Sequence, residues 1–259
     1  MRLKLLATLP SVLMAGMLAA LAGSAQAEVT LNAGARLSYD NNVNGAPIKA
    51  NRLSDSHLTL SASGVYFTPL NDEQTNYFVG QVGVMSTDYN KYNNLNSSMV
   101  VGSAGLWRQL SATWSGQITG RAFGRDTQQH ERDSTGYGAT LEIKDQLTET
   151  VWLKGVADYE DSKANLGTFS NYGPTYGVNL GYLPQKDTFI NLGYSYATRD
   201  FKTLTSFVSK AQTLFVEGTQ RLAKNWYMSL GYAYQDNNSN IAGTGYTNQT
   251  VSVGLNFSY

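Results

Sequence analysis

The sequence predicts an all-β protein: a transmembrane antiparallel up-and-down β-barrel of about twelve strands, made after a signal peptide is cleaved. Three observations predict it. Beyond the N-terminal leader, apolar and polar residues alternate with a period of two. The alternating segments are about ten residues long, which a tilted strand needs to cross a bilayer. The connections between them are alternately short and long.

The leader comes first. Arg2 and Lys4 precede an apolar run over 5–21, and Ala25-Gln26-Ala27 has the small-x-small pattern of a signal peptidase site. Pro10 and Gly16 interrupt the run and no stop-transfer charges follow, so a retained anchor is the weaker reading. Residues 1–27 read as signal peptide and 28–259 as one barrel domain. Cleavage leaves 17 basic and 19 acidic residues, a balance that gives no reason to propose nucleic acid as a partner. Cysteine is absent, so disulfides contribute nothing. Mean hydropathy is −0.29 and no mature apolar run approaches twenty residues, which excludes a helical membrane protein but not a barrel.

The segments follow in order. In the first, Val29, Leu31, Ala33, Ala35, Leu37 and Tyr39 alternate with Thr30, Asn32, Gly34, Arg36, Ser38 and Asp40. Another runs from Ala112 through Trp114, Ile118 and Ala122, opposing Thr113, Ser115, Gln117, Thr119, Arg121 and Phe123. Ile190, Leu192, Tyr194 and Tyr196 form one face of a third, and Met228, Leu230, Tyr232 and Tyr234 one face of a fourth. Further segments fall near 57–67, 76–86, 98–107, 137–144, 151–160, 175–183 and 209–220, with a last strand from about 247. Those near 76–86, 98–107 and 209–220 alternate poorly, leaving ten strands as the alternative to twelve.

Short connections fall at 68–74, 108–110, 145–149, 184–187 and 221–225. Long ones rich in Asn, Gly and Ser fall at 41–55, 87–96, 126–135, 161–173, 200–208 and 236–246. Short turns on one side and long loops on the other place both termini on the short-turn side. Pro47 falls in a loop, Pro69 and Pro184 in turns and Pro174 where a strand begins, so no proline is expected to break a ladder. Aromatic residues make two expected belts: Trp107, Trp114, Trp152, Trp226, Tyr66, Tyr182, Phe257 and Tyr259 by the short turns, Tyr39, Tyr137, Tyr159, Tyr176, Tyr196 and Tyr234 by the long loops.

The chain ends on Gly254-Leu255-Asn256-Phe257-Ser258-Tyr259. Gly254, Phe257 and Tyr259 give a terminal Gly-x-x-aromatic-x-aromatic pattern that resembles the assembly signal of Gram-negative outer-membrane β-barrels. The resemblance spans the mature chain and implies a cell outer-membrane location with periplasmic termini. It also implies membrane lipid, lipopolysaccharide, periplasmic chaperones and the barrel-assembly machinery as partners. The length and strand number further resemble small oligosaccharide-specific porins for acidic sugars, whose many bore arginines are not matched by this mixed interior. Tyr39-Asp40-Asn41-Asn42-Val43-Asn44-Gly45-Ala46-Pro47 looks like the opening of barrel domains in surface-lipoprotein assembly modifiers, although no helical repeats precede it.

Inward positions are mostly small and polar, with glycines (Gly34, Gly138, Gly177, Gly181, Gly193, Gly231, Gly254) expected to widen the bore. The charged pore lining is expected at Arg36, Arg121, Arg125, Glu142, Lys154, Asp158 and Arg199, with Glu142 and Lys154 at similar depth. These charges read either as a constriction that orients solutes or as mutually neutralising salt bridges. No enzyme is expected: neither His57-Leu58-Thr59 nor His130-Glu131-Arg132 supplies a phospholipase-like His-x-Ser pairing, and Asp55-Ser56-His57 is the nearest approach to an omptin-like site. Asp40-Asn41-Asn42 and Asp236-Asn237-Asn238-Ser239-Asn240 could offer oxygen to Ca²⁺, yet such turns are commonly plain loops, so no metal or cofactor is expected. The function expected is a pore for passive diffusion of small hydrophilic solutes. The alternatives are an export or assembly barrel for a polysaccharide or surface lipoprotein, and a closed barrel whose outer loops bind a ligand.

Overall fold

The computed structural model describes residues 27–202 and 207–259; the leader reading falls on residues outside those described, apart from Ala27. Twelve strands form one closed antiparallel barrel: β1 Glu28–Asp40, β2 Asp55–Pro69, β3 Asn76–Tyr89, β4 Ser97–Gln109, β5 Trp114–Thr127, β6 Ser134–Gln146, β7 Val151–Ala164, β8 Asn171–Gln185, β9 Thr188–Phe201, β10 Val208–Ala223, β11 Trp226–Ser239 and β12 Tyr246–Ser258. Every strand pairs with its neighbours in sequence, and β1 closes on β12 from Asn32↔Ser258 to Asp40↔Thr250. Beyond that register, the Leu31 and Tyr259 backbones exchange two hydrogen bonds of 2.8 and 2.9 Å. The last residue is therefore part of the seam. Closure leaves no unpaired strand edge, which a hydrocarbon environment demands.

Side-chain parity turns the molecule inside out relative to a soluble protein. Leu37, Ile118, Leu141, Leu192, Leu214, Leu230 and Val253 all stand exposed on the outer wall, Leu230 at 63%. The buried apolar residues among those described are only Ala46, Val79, Val82 and Ala164. An outer wall of aliphatic side chains is built to meet lipid.

The two ends differ. At the terminal end the connections are short, two residues each at 186–187 and 224–225. At the opposite, loop end the strands run further than the Asn-rich composition suggests: Asp236, Asn237, Asn238 and Ser239 belong to β11 and Thr87–Tyr89 to β3. Most connections there are shorter than expected. Single 3-10 turns shape four of them, at Lys49–Asn51, Asn93–Leu95, His130–Arg132 and Gly167–Phe169.

The loop end is tied by buried polar side chains. Asn42, 2% exposed, donates to the Ala46 and Thr247 carbonyls and accepts from the Ala46 amide. Asp55, 1% exposed, accepts from the Ser56, Lys91 and Tyr92 amides. Buried polar groups persist where their bonds are met, and here they tie the first loop to β12 and the start of β2 to the second loop.

Two expectations need correction. The segment expected to start at Ala112 begins at Trp114, because Ser111 caps the turn by accepting from the Trp114 amide. Pro174 lies inside β8, and the β8–β9 ladder has no pairs at Gly173 and Pro174. Proline lacks the N–H the ladder needs, and Gly173 takes φ +153°, open to glycine at little cost.

Candidate functional site: the barrel interior

The interior is built by the odd or even residues of each strand, and register places all seven expected lining charges on its inner face. Five of the seven, Arg36, Arg121, Glu142, Lys154 and Asp158, are held in ion pairs. Arg36 on β1 reaches past β12 and β11 to Glu217 on β10, 2.9 Å away. Arg121 on β5 crosses β6 to bond Asp158 and, at 2.8 Å, Glu160 on β7; Thr140 lies between them and bonds both Arg121 and Asp158. Lys154 meets Glu142 at 3.3 Å on adjacent strands. Arg199 fills the gap at the Pro174 kink, donating to the carbonyls of Gly173 and Pro174 at 3.2 and 3.1 Å and to the Thr175 hydroxyl. It repairs the backbone that proline leaves open. Arg125, exposed toward the loop end, contacts only the Met99 sulfur among the described residues.

The inward glycines are not empty space. A Cβ on Gly138 would lie 2.7 Å from the Arg121 guanidinium carbon. One on Gly181 would lie 2.2 Å from the Trp152 ring, on Gly193 2.2 Å from Phe215, and on Gly136 2.4 Å from Phe123. Gly231 lies beneath the Arg36–Glu217 pair, 3.5 Å from the Glu217 carboxylate by the same measure. Large side chains thus recline on glycines of neighbouring strands instead of pointing to the axis. This corrects the expectation that glycines widen the bore at Gly138, Gly181 and Gly193, whereas a Cβ on Gly177 would meet only ordinary contacts at 3.5 Å and beyond.

The lining is also less polar than the composition suggests. Val65, Phe67, Tyr77, Val79, Met85, Met99, Val101 and Trp107 form an apolar flank on the inner faces of β2, β3 and β4. The tryptophans divide. Trp114 and Trp226 face outward, Trp226 against Phe257 at 5.1 Å. Trp107 and Trp152 turn inward: Trp107 meets Tyr77, and Trp152 stacks on Phe189 at 5.0 Å. Of the four tryptophans expected by the short turns, two therefore face outward and two inward, because distance from a turn does not set the face of a strand while parity does.

Neither histidine joins a nucleophile. His57 packs on Tyr89, and its neighbour Asp55 spends its carboxylate on backbone amides. The Asp40 carboxylate is likewise occupied by the Asn42 amide and the Asn248 side chain, so the first candidate calcium turn is consumed by its own rim. A different grouping escaped the sequence reading. Asp126, His130 and Asp133 bring their ligand atoms within 4.8 Å of one another at the loop end, a set that could hold a divalent cation. Burial pushes the Asp133 carboxyl up, but the Thr127 amide and hydroxyl and His130 outweigh it and hold it below the usual carboxylate range.

The barrel fold is matched by solved barrels. An outer-membrane channel of the COG4313 group from Pseudomonas putida F1 superposes with a TM-score of 0.57 at 12% identity, over 90% of this chain and 96% of that one. A KdgM porin in complex with disordered oligogalacturonate superposes at 0.50 and 13%, over 88% and 99%. The fold is that of outer-membrane porins and channels. Fold and apolar outer wall together indicate the outer membrane. No family model and no curated protein matches the sequence.

Proposed function

We propose that the protein is an outer-membrane pore through which small hydrophilic solutes pass by passive diffusion. In this reading residues 1–27 are removed and the terminal end faces the periplasm. Gly254, Phe257 and Tyr259 present the mature chain to periplasmic chaperones and the assembly machinery, and lipid and lipopolysaccharide surround the wall. The observation that supports a pore is the reclining of the interior charges. Arg36, Arg121 and Lys154 are held in pairs, Arg121 against Gly138 and the Arg36–Glu217 pair against Gly231. Twelve strands enclose more than the eight whose side chains fill a barrel.

Paired charges imply weak ion selectivity, with Arg125, Arg199 and Lys144 the inward cations that lack an ion pair among the described residues. Conductance of the purified mature chain in planar bilayers, with liposome swelling in neutral sugars, tests this. Stepwise conductance and sugar uptake are expected; a folded sample showing neither refutes the pore. Arg121→Ala uncovers Asp158 and Glu160, so reversal potential shifts toward cation preference, and Lys154→Ala does the same through Glu142. If both variants keep the parent's conductance and selectivity, these charges do not shape the passage.

A further inference from the structure

The inner faces near the terminal end carry an aromatic collar. Within three residues of the turns, the inward positions include Phe67, Tyr77, Trp107, Trp152, Phe189 and Tyr227. Five of them gather in two clusters. On β2–β4, Phe67 stacks on Tyr77 at 4.6 Å and Tyr77 meets Trp107 edge-on at 5.5 Å. On β7–β9, the Trp152 and Phe189 rings lie 8° from parallel. Strands β3 and β8 are five apart in a ring of twelve, so the clusters face each other across the mouth.

The second cluster carries a cation. The Lys144 ammonium lies 4.7 Å from the centre of the Trp152 ring and makes no ion pair among the described residues. It comes from β6 and Phe189 from β9, so Trp152 is flanked from both sides of β7. An ammonium without an ion pair beside two stacked rings is complementary to a carboxylate joined to an arene.

We infer that Lys144, Trp152 and Phe189, faced by the Phe67–Tyr77–Trp107 cluster, form a binding site for small aromatic carboxylates in the mouth of the barrel. The carboxylate pairs with Lys144 while the arene packs against the Trp152–Phe189 pair. This inference deepens the pore reading by naming a solute class, and it rests on that reading only for transport, since binding does not require an open axis.

Benzoate is the probe, with acetate as the carboxylate that lacks a ring. In planar bilayers benzoate should interrupt the ionic current at concentrations where acetate has no effect. Trp152→Ala and Lys144→Gln should each weaken the block at least about fivefold, while Trp114→Ala, on the outer wall, should not. A binding assay separates this site from the pore. In a Trp114→Phe, Trp226→Phe background the remaining indoles are Trp107 and Trp152, and benzoate should quench their fluorescence in detergent micelles. Absence of conductance together with saturable quenching would refute the pore and keep the site. Benzoate acting no differently from acetate in both assays overturns the inference, as does unaltered benzoate affinity in folded Lys144→Gln.

Discussion

Leu230→Arg puts the inside-out wall to a quantitative test. On β11 the outward residues Trp226 and Tyr234 bracket Leu230 four positions to either side. At about 3.3 Å per residue and a tilt of about 40°, the bracketing rings are about 20 Å apart in height, and Leu230 lies about 10 Å from each. That is close to the centre of an apolar band about 25 Å tall, where an arginine on the lipid face costs about 2–4 kcal/mol. The folding equilibrium should fall about 30- to 900-fold. The inward control is Thr213→Arg on the adjacent strand, whose neighbours are Ser195 and Gln235. There the guanidinium meets water, and a change within about 0.5 kcal/mol is expected. Reversible guanidinium unfolding in lipid vesicles, followed by tryptophan fluorescence, measures both. Equal stability of the two variants, or the larger loss in Thr213→Arg, would show that the wall facing outward in the barrel does not face hydrocarbon.

Two further outcomes follow from the loop end. Asn42→Ala strands the Ala46 amide and the Ala46 and Thr247 carbonyls; the expected loss is about 1–3 kcal/mol, read as protease cleavage confined to loop 41–54 while the barrel stays intact. Asp133, with its carboxyl held below the ordinary value of 3.8, stabilises its loop while ionised. That stability is present above 3.8 and is lost as pH falls through the lower folded value. Hydrogen exchange over 128–133 should therefore stay slow down to pH 3.8 and quicken only below it, and Asp133→Asn should abolish that acid dependence.

Where one wall face is apolar and the other polar, as along β1, β9 and β11, period-two alternation revealed both the strand and its lipid face. It failed along β3 and β4 for a physical reason. Their inner faces carry Tyr77, Val79, Met85, Met99, Val101 and Trp107, so both faces are apolar and the period is erased. Trp107 and Trp152 lie near turns, yet parity with Ser103 and Lys154 places both on the inner face. The charged residues were legible as inward-facing, but their partners were not. Arg36–Glu217 joins residues 181 apart through barrel closure, and the task of Arg199 depends on the absent ladder at Pro174.

The glycine cradles carry an evolutionary implication. If Trp152 or Arg121 can lie flat only because a neighbouring strand lacks a side chain there, the clear width of the channel belongs to pairs of positions, not to single ones. Adding a methyl at Gly181 or Gly138 would tip the occupant toward the axis and narrow the passage without altering any residue that a solute touches. Related barrels should then change cradle and occupant together, and calibre could drift through substitutions that look silent at the pore surface.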